Sequence, residues 1–229
     1  METQVAEVLS VREETPTVRS IRLRRPPDFA FQASQAARLV LQPGALARPF
    51  SIASGPERPH LEFAARRSGS DFKRVFFALR PGDAVEILGP KGRFLLEEGA
   101  PAVLVAGGIG ITPMKSMLEH AVDAELSTPI TLLYGSRSPG EIAFRGEIDE
   151  LARRNARIRV VHTVSEPDAG WTGRVGRLGP ELLIEAGEQA GAFYYVAGPP
   201  EMVEETLRNL QVLGVPRERV KFEIFRGYR

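Results

Sequence analysis

Residues 103–118 read VLVAGGIGITPMKSML. Val103-Leu104-Val105-Ala106 is an unbroken apolar run, the pattern of a parallel strand buried on both faces. Gly107, Gly108 and Gly110 follow. Glycine reaches positive φ and lets another group approach the backbone closely. Thr112 suits an N-cap and Pro113 a first helical position. Met114, Met117, Leu118 and Ala121 then recur at helical spacing. Strand, glycine turn and helix N-terminus together make an anion site, because free backbone N–H groups and the positive end of the helix dipole converge on one point. A dinucleotide pyrophosphate fits such a turn. The spacing departs from G-x-G-x-x-G, since Pro113 stands where the third glycine would be. Read alone, the stretch also allows a tight turn that binds nothing.

The rhythm outward from this turn sets the fold class. From Gly99 onward, strands are expected at 101–106, 129–134, 157–163, 192–197 and 219–224. Helices are expected between them at 113–124, 145–154, 179–188 and 200–213. Alternating βα units imply a Rossmann-like parallel sheet with helices on both faces. Before Gly99 the chain reads as short segments divided by Pro and Gly: VAEVLSVREE, TVRSIRLRRP, AARLVLQP, FSIAS, HLEFAARR and AVEILG. A single helix pattern, DFKRVFFALR at 71–80, interrupts them. This reads as a small antiparallel β-barrel. The expected organisation is two domains, 1–98 and 99–229, the second α/β.

Composition narrows the function classes. The chain has 229 residues, 43% hydrophobic and 26% charged, enough for a real core. Its net charge of +1 gives no reason to expect nucleic acid or an anionic membrane as partner. No apolar run reaches the roughly 18–20 residues needed to span a bilayer, and METQVAEVLSVREE does not read as a signal peptide. A cytoplasmic protein is the default expectation. The absence of cysteine excludes disulfides, cysteine-ligated iron–sulfur clusters and thiol catalysis within this chain. His60, His120 and His162 lie far apart with no metal-ligand spacing, so no metal site is expected.

Four further stretches carry chemistry. Arg48-Pro49-Phe50-Ser51 is read as opening a strand. It offers a guanidinium for phosphate, a ring for stacking and a hydroxyl for a ring nitrogen. In Arg66-Arg67-Ser68-Gly69-Ser70-Asp71-Phe72-Lys73, Ser70 or Asp71 would cap the helix that follows, giving a second phosphate-type N-terminus. Ala197-Gly198-Pro199-Pro200-Glu201-Met202 ends a strand at the carboxyl edge of the expected sheet, where open α/β folds bind ligands. Phe222-Glu223-Ile224-Phe225-Arg226-Gly227-Tyr228-Arg229 places aromatics after the last strand, either to plug a core or to cover a flat ligand. Each stretch alone also has an ordinary structural reading.

Their order is more specific than any one of them. RPFS, SDFK, GPKG, GGIGITP, AGPPEM and a terminal aromatic, over nearly the whole chain, resemble the ferredoxin–NADP reductase superfamily. The resemblance is to oxygenase reductase components and small ferredoxin reductases without an iron–sulfur domain. It implies FAD in the barrel half and NAD(P)H in the α/β half. Arg48 would hold the FAD pyrophosphate, with Pro49 beside it. Phe50 would pack on the isoalloxazine or ribityl chain, and Ser51 would hydrogen-bond flavin N5. Ala64, Arg66, Ser70, Phe72 and Lys73 would complete the FAD contacts. Gly107, Gly108, Gly110 and Thr112 would receive the nicotinamide dinucleotide, and Gly198, Pro199 and Met202 would shape the slot toward the flavin. Glu223 would sit near the reacting rings, Phe225 would cover the flavin, and Tyr228 would touch FAD. The implied catalytic set is Ser51, Glu223 and Phe225. Many relatives carry Cys where this chain has Ala197, close to the hydride path.

Donor choice is contested within the sequence. Ser136-Arg137 offers an Arg to a 2′-phosphate. Ser165-Glu166 offers a carboxylate that would repel it and accept from ribose hydroxyls. The balance leans to NADH. The implied activity is hydride transfer from NAD(P)H to FAD, then electron transfer to a separate acceptor protein, a ferredoxin or the iron–sulfur component of an oxygenase. Two other readings stand beside it: a reductase releasing free reduced flavin to a small-molecule acceptor, and a non-catalytic nucleotide-binding subunit of a larger complex. Oligomeric state is not legible.

Overall fold

The computed structural model describes residues 3–42, 46–187 and 191–226. The first part of the chain runs β1 (Gln4–Thr15), β2 (Val18–Arg24), β3 (Ala36–Gln42), β4 (Leu46–Ser51), β5 (His60–Arg66), α1 (Asp71–Ala78) and β6 (Ala84–Lys91). The strands form one antiparallel sheet in the order β4-β3-β6-β1-β2-β5. β1 serves two neighbours: Gln4–Glu7 pair with β6 and Val8–Thr15 with β2, with a register shift after Val8. Such an irregularity bends a strand and raises its twist, which curls the sheet. Its two ends meet where the Ala53 amide donates to the Glu62 carbonyl at 2.7 Å. Val8, Ile21, Leu39, Phe63, Val85 and Ile87 fill the interior. From α1, Phe72 and Phe76 join this core, and Phe50 stacks on both rings at 5.4 and 5.7 Å.

One local expectation is corrected. RPFS closes a strand at Ser51 instead of opening one. Pro49 has no N–H for a sheet ladder, but β4 is the terminal strand of the order, where proline is tolerated. Past Ser51 the chain leaves β3: the Ile52 amide donates to Gln35 O and the Ala53 amide to Glu62 O.

The second part runs β7 (Ala102–Gly107), α2 (Ile111–Asp123), β8 (Ile130–Ser136), α3 (Arg145–Arg154) and β9 (Ile158–Val164). It continues with β10 (Arg174–Val175), α4 (Pro180–Ala186), β11 (Phe193–Gly198), α5 (Pro200–Val212) and β12 (Val220–Ile224). These strands form a parallel sheet ordered β10-β9-β8-β7-β11-β12. The order reverses between β7 and β11, so the glycine turn after β7 lies at the point where open sheets bind ligands. The two-residue β10 was not expected from the sequence. α2 also differs: a 3-10 turn over Gly108–Gly110 runs directly into it, with Gly110 already helical at φ −61°. Thr112 therefore lies inside α2 and is not its N-cap, and its Oγ1 donates to Ile109 O at 3.1 Å.

α2 is buried on two sides. Met114, Met117, Leu118 and Ala121 pack on the parallel sheet. Lys115, Ser116 and Glu119 are also buried, and they face the barrel. Ser116 Oγ donates to Ser54 O at 2.7 Å and accepts from the Ser34 amide at 2.9 Å.

Candidate functional site

The curled sheet and the parallel sheet enclose a cavity of about 680 Å³. β4 supplies Arg48, Pro49, Phe50 and Ser51, and β5 supplies Ala64 and Arg66. The loop and first turn of α1 supply Ser70, Phe72 and Lys73, while Glu223 and Phe225 come from the chain end. Widely separated stretches thus converge because β4 and β5 are the two ends of the curled sheet and β12 is the neighbouring edge of the other. Ser70 is the N-cap of α1, accepting from the Lys73 amide at 3.4 Å. The Phe225 amide donates to Gly198 O at 2.9 Å, which fixes the terminal aromatic at the end of β11.

The electrostatics divide this cavity. Partial burial lowers the Lys73 ammonium below its ordinary value, and the nearby Arg66 charge adds to the effect. Arg66 also pairs with Glu141 at 3.3 Å; two cations beside a helix N-terminus are donors suited to a phosphate. At the other end, burial raises the Glu223 carboxyl above its ordinary range, partly offset by the Ser51 hydroxyl donating to its Oε2 over a long 3.5 Å. A volume of this size with an apolar middle and convergent polar groups is that of a cofactor pocket. A flavin dinucleotide fits: cations for its pyrophosphate, Phe50 and Phe225 for a flat ring, a hydroxyl and a carboxyl at the reactive end.

A smaller cavity of about 280 Å³ opens at the carboxyl ends of the parallel strands. Gly107, Gly108, Ser136, Arg137, Ser165, Pro199 and Met202 line it. A Cβ on Gly107 would lie 2.3 Å from Met202 Sδ, so the missing side chain makes room within this wall. Four expected contacts lie elsewhere, and Glu166 is one of them, lining neither cavity. Gly110 lines neither cavity; a Cβ there would lie 2.2 Å from Ala197 O, so this glycine lets the leading turn of α2 press against β11. Gly198 lies against Gly107 and lines neither. Thr112 is on the wall of the larger cavity. Tyr228 lies outside the described residues.

The two contested donor residues meet. Arg137 Nε lies 3.0 Å from Glu166 Oε2, both side chains exposed, and the Glu166 amide donates to Arg137 O at 2.7 Å. Glu166 raises the Arg137 guanidinium first through this hydrogen bond and then through its charge. Arg177 also lines the smaller cavity and was not anticipated; it makes no ion pair among the described residues. Arg66 and Ile109 line both cavities, so the two chambers share a wall.

Sequence reasoning missed one large feature. Lys115 is fully buried, with Nζ 2.7 Å from Glu62, 2.6 Å from Glu119 and 3.1 Å from Glu147. Arg22 bonds Glu62 at 2.8 Å and Glu147 at 3.2 Å. Burial opposes ionisation of both Lys115 and Glu62, but the opposite charges win: the ammonium is raised and the Glu62 carboxyl lowered. The available signal was the polar stripe Thr112, Lys115, Ser116, Glu119 and Asp123, recurring at helical spacing beside an apolar one.

Comparison with known proteins agrees with this geometry. Residues 104–208 match the oxidoreductase NAD-binding domain family. The chain is 34% identical over 234 residues to ferredoxin–NADP reductase B of Sorangium cellulosum, covering 95% of this chain and 96% of that protein. It is 30% identical to the reductase component of propane 2-monooxygenase from Mycolicibacterium smegmatis, covering 96% of this chain but 66% of that protein. The ferredoxin NADP+ reductase structure from Neisseria gonorrhoeae, with bound FAD and NADP, shares the fold at a TM-score of 0.83 and 24% identity, over 98% of this chain and 99% of that one. The chain belongs to the ferredoxin–NADP reductase superfamily of FAD-dependent NAD(P)H oxidoreductases.

Proposed function

We propose that residues 1–98 hold FAD in the larger cavity, and that residues 99–229 present NADH or NADPH to it through the smaller one. Electrons then pass to a separate acceptor protein, a ferredoxin or the iron–sulfur component of an oxygenase. The observation that carries this reading is the shared wall: Arg66 and Ile109 belong to both chambers, so two ligands bound there would be neighbours. Bound FAD supplies the chemistry, a ring that accepts a hydride and releases electrons singly. The chain supplies binding, orientation and electrostatics. Arg48, Arg66 and Lys73 hold the pyrophosphate, and Phe50 and Phe225 bound the ring. Ser51 presents its hydroxyl, and Glu223 holds or releases a proton beside it. An external acceptor is required for any iron–sulfur step, because the chain has no cysteine.

The test is direct. Purified protein should carry or take up FAD, and anaerobic NADH or NADPH should bleach it. A colourless protein that refuses supplied FAD would sink the reading. Retention separates the two reductase readings: tightly held FAD fits transfer to a protein, whereas readily lost flavin fits reduction of free flavin.

For donor choice, Glu166 neutralises the Arg that would otherwise attract a 2′-phosphate, which favours NADH modestly. Glu166→Gln should raise kcat/KM for NADPH relative to NADH, because it frees the Arg137 guanidinium for the 2′-phosphate, the gain being modest since both side chains are exposed. Arg177→Ala should raise KM for both donors. A wild type already strongly selective for NADPH would refute the Glu166 argument.

A further inference from the structure

Hydride transfer across a shared wall demands a fixed angle between the barrel and the parallel sheet. Val18 and Ala64 of the barrel join the apolar core of the second half, and apolar packing of that kind is non-directional. The buried ion cluster is different, because charge-assisted hydrogen bonds are short and directional. From the barrel come Arg12, Arg22, Arg58 and Glu62; from the other half come Lys115, Glu119, Asp123 and Glu147. Lys115 is the centre. The carboxylates of Glu62, Glu119 and Glu147 lie within 4.8 Å of one another, spaced to hold one cation, and the Lys115 ammonium takes that place.

The bonded elements are the same ones that build the cavity walls. Glu62 lies on β5, which carries Ala64 and Arg66 in the larger cavity. Lys115 lies on α2 one turn beyond Thr112, a residue that lines the same cavity. The Lys115–Glu62 bond at 2.7 Å thus joins wall to wall. Glu147 is brought in by α3, whose N-cap residue Phe144 has a left-handed φ of 58°. That conformation is unfavourable for a bulky residue and persists only where packing enforces it. Here the buried Phe144 ring lies 5.2 Å from Lys115 Nζ and 6.0 Å from the Arg12 guanidinium.

We propose that Lys115 is a positioning residue: by binding Glu62, Glu119 and Glu147 it locks the barrel onto the nucleotide-binding sheet and so sets the alignment of nicotinamide with flavin, without touching either. This rests on the function proposed above. A misplacement of about 1 Å suffices to slow a reaction about a hundredfold, so the device matters even if both cofactors still bind.

The cysteine-free chain allows a clean measurement. Val5 on β1 and Val212 at the end of α5 are exposed and line neither cavity. Replacing both with cysteine and attaching spin labels gives the distance between the two halves by pulsed EPR. The FAD-loaded parent should show one narrow distance. Lys115→Met should broaden or shift it and slow anaerobic bleaching by NADH at least tenfold, with Kd for FAD and NADH changed less than about threefold. Should that variant fail to fold, Lys115→Met with Glu62→Gln keeps the cluster's net charge and is read in the same way. An unchanged distance distribution, or a changed one with an unchanged bleaching rate, overturns the proposal. If the parent itself is not bleached by either donor, the functional reading fails separately, and the distance measurement still reports whether Lys115 fixes the orientation.

Discussion

Lys73 and Arg66 both line the larger cavity; Arg66 already pairs with Glu141 at 3.3 Å, and its charge still lowers the Lys73 ammonium after burial does. An anion bound beside two cations favours the charged form of both, and the proposed FAD pyrophosphate would be such an anion. Lys73→Gln should therefore weaken FAD binding by roughly ten- to a hundredfold, the range of one charge-assisted contact at 1.5–3 kcal/mol. Fluorescence titration of apoprotein with FAD measures it, and raised salt should narrow the difference. Equal affinity in both proteins would remove Lys73 from the phosphate site. Glu223 makes the opposite case. Its raised pKa means that it ionises at higher pH than an ordinary carboxyl of 4.5. The rate of flavin bleaching should inflect above pH 4.5, and Glu223→Gln should remove the inflection. An identical pH profile for the variant would show that Glu223 does not titrate within the reaction.

The element that decides most is α2 with its leading turn. Its glycines look interchangeable in the sequence but are used differently. Gly107 and Gly108 face the smaller cavity, whereas Gly110 sits under the Ala197 carbonyl. Backbone cannot move aside as a flexible side chain can. Gly110→Ala should cost about 1–3 kcal/mol, the usual range for overpacking, lowering Tm by several degrees at this chain length. Gly108→Ala, at φ 51°, should be milder in stability but should weaken nucleotide binding. Thermal unfolding with and without nucleotide separates the two, and a reversed order would invert these assignments. The same element shows why Thr112 was misread as a cap: Thr-Pro carries a start signal, but the 3-10 turn before it had already begun the helix.

At the scale of the whole molecule, the buried ion cluster makes the junction of the two halves pH-dependent. The folded pKa of Glu62 lies below its unfolded value of 4.5, so its stabilisation is complete above 4.5 and is lost as pH falls through the lower folded value. Lys115 is raised above 10.5, so its contribution is complete below 10.5 and is lost as pH rises toward the higher folded value. Between these limits, removing Lys115 alone leaves Glu62, Glu119 and Glu147 without their shared central cation, with Arg12, Arg22 and Arg58 still at their outer sides, and should cost up to about 3–5 kcal/mol. Lys115→Met with Glu62→Gln should cost less and should flatten the loss of stability with falling pH. Denaturant midpoints at several pH values between 3 and 7 test this. Parallel curves for wild type and double variant would show that the cluster does not drive the acid transition.

The sequence determined the succession of elements and the motifs at their ends. Apolar runs, helical spacing and Gly or Pro punctuation are local signals, and they suffice to separate a barrel half from a βα half; residues 48–51, 66–73, 107–112 and 222–225 stand out as candidates through the order of their motifs and the family resemblance that order carries. What they cannot hold is distance between segments far apart in the chain. Only the tertiary structure could pair Arg137 with Glu166, separate Gly110 from the cavity, end β4 at Ser51, and turn the polar stripe of α2 inward. Read locally, a charged stripe beside an apolar one looks like a helix face turned to water. It becomes a buried ion cluster because a second layer, the barrel with Arg12, Arg22, Arg58 and Glu62, covers it and supplies the opposite charges.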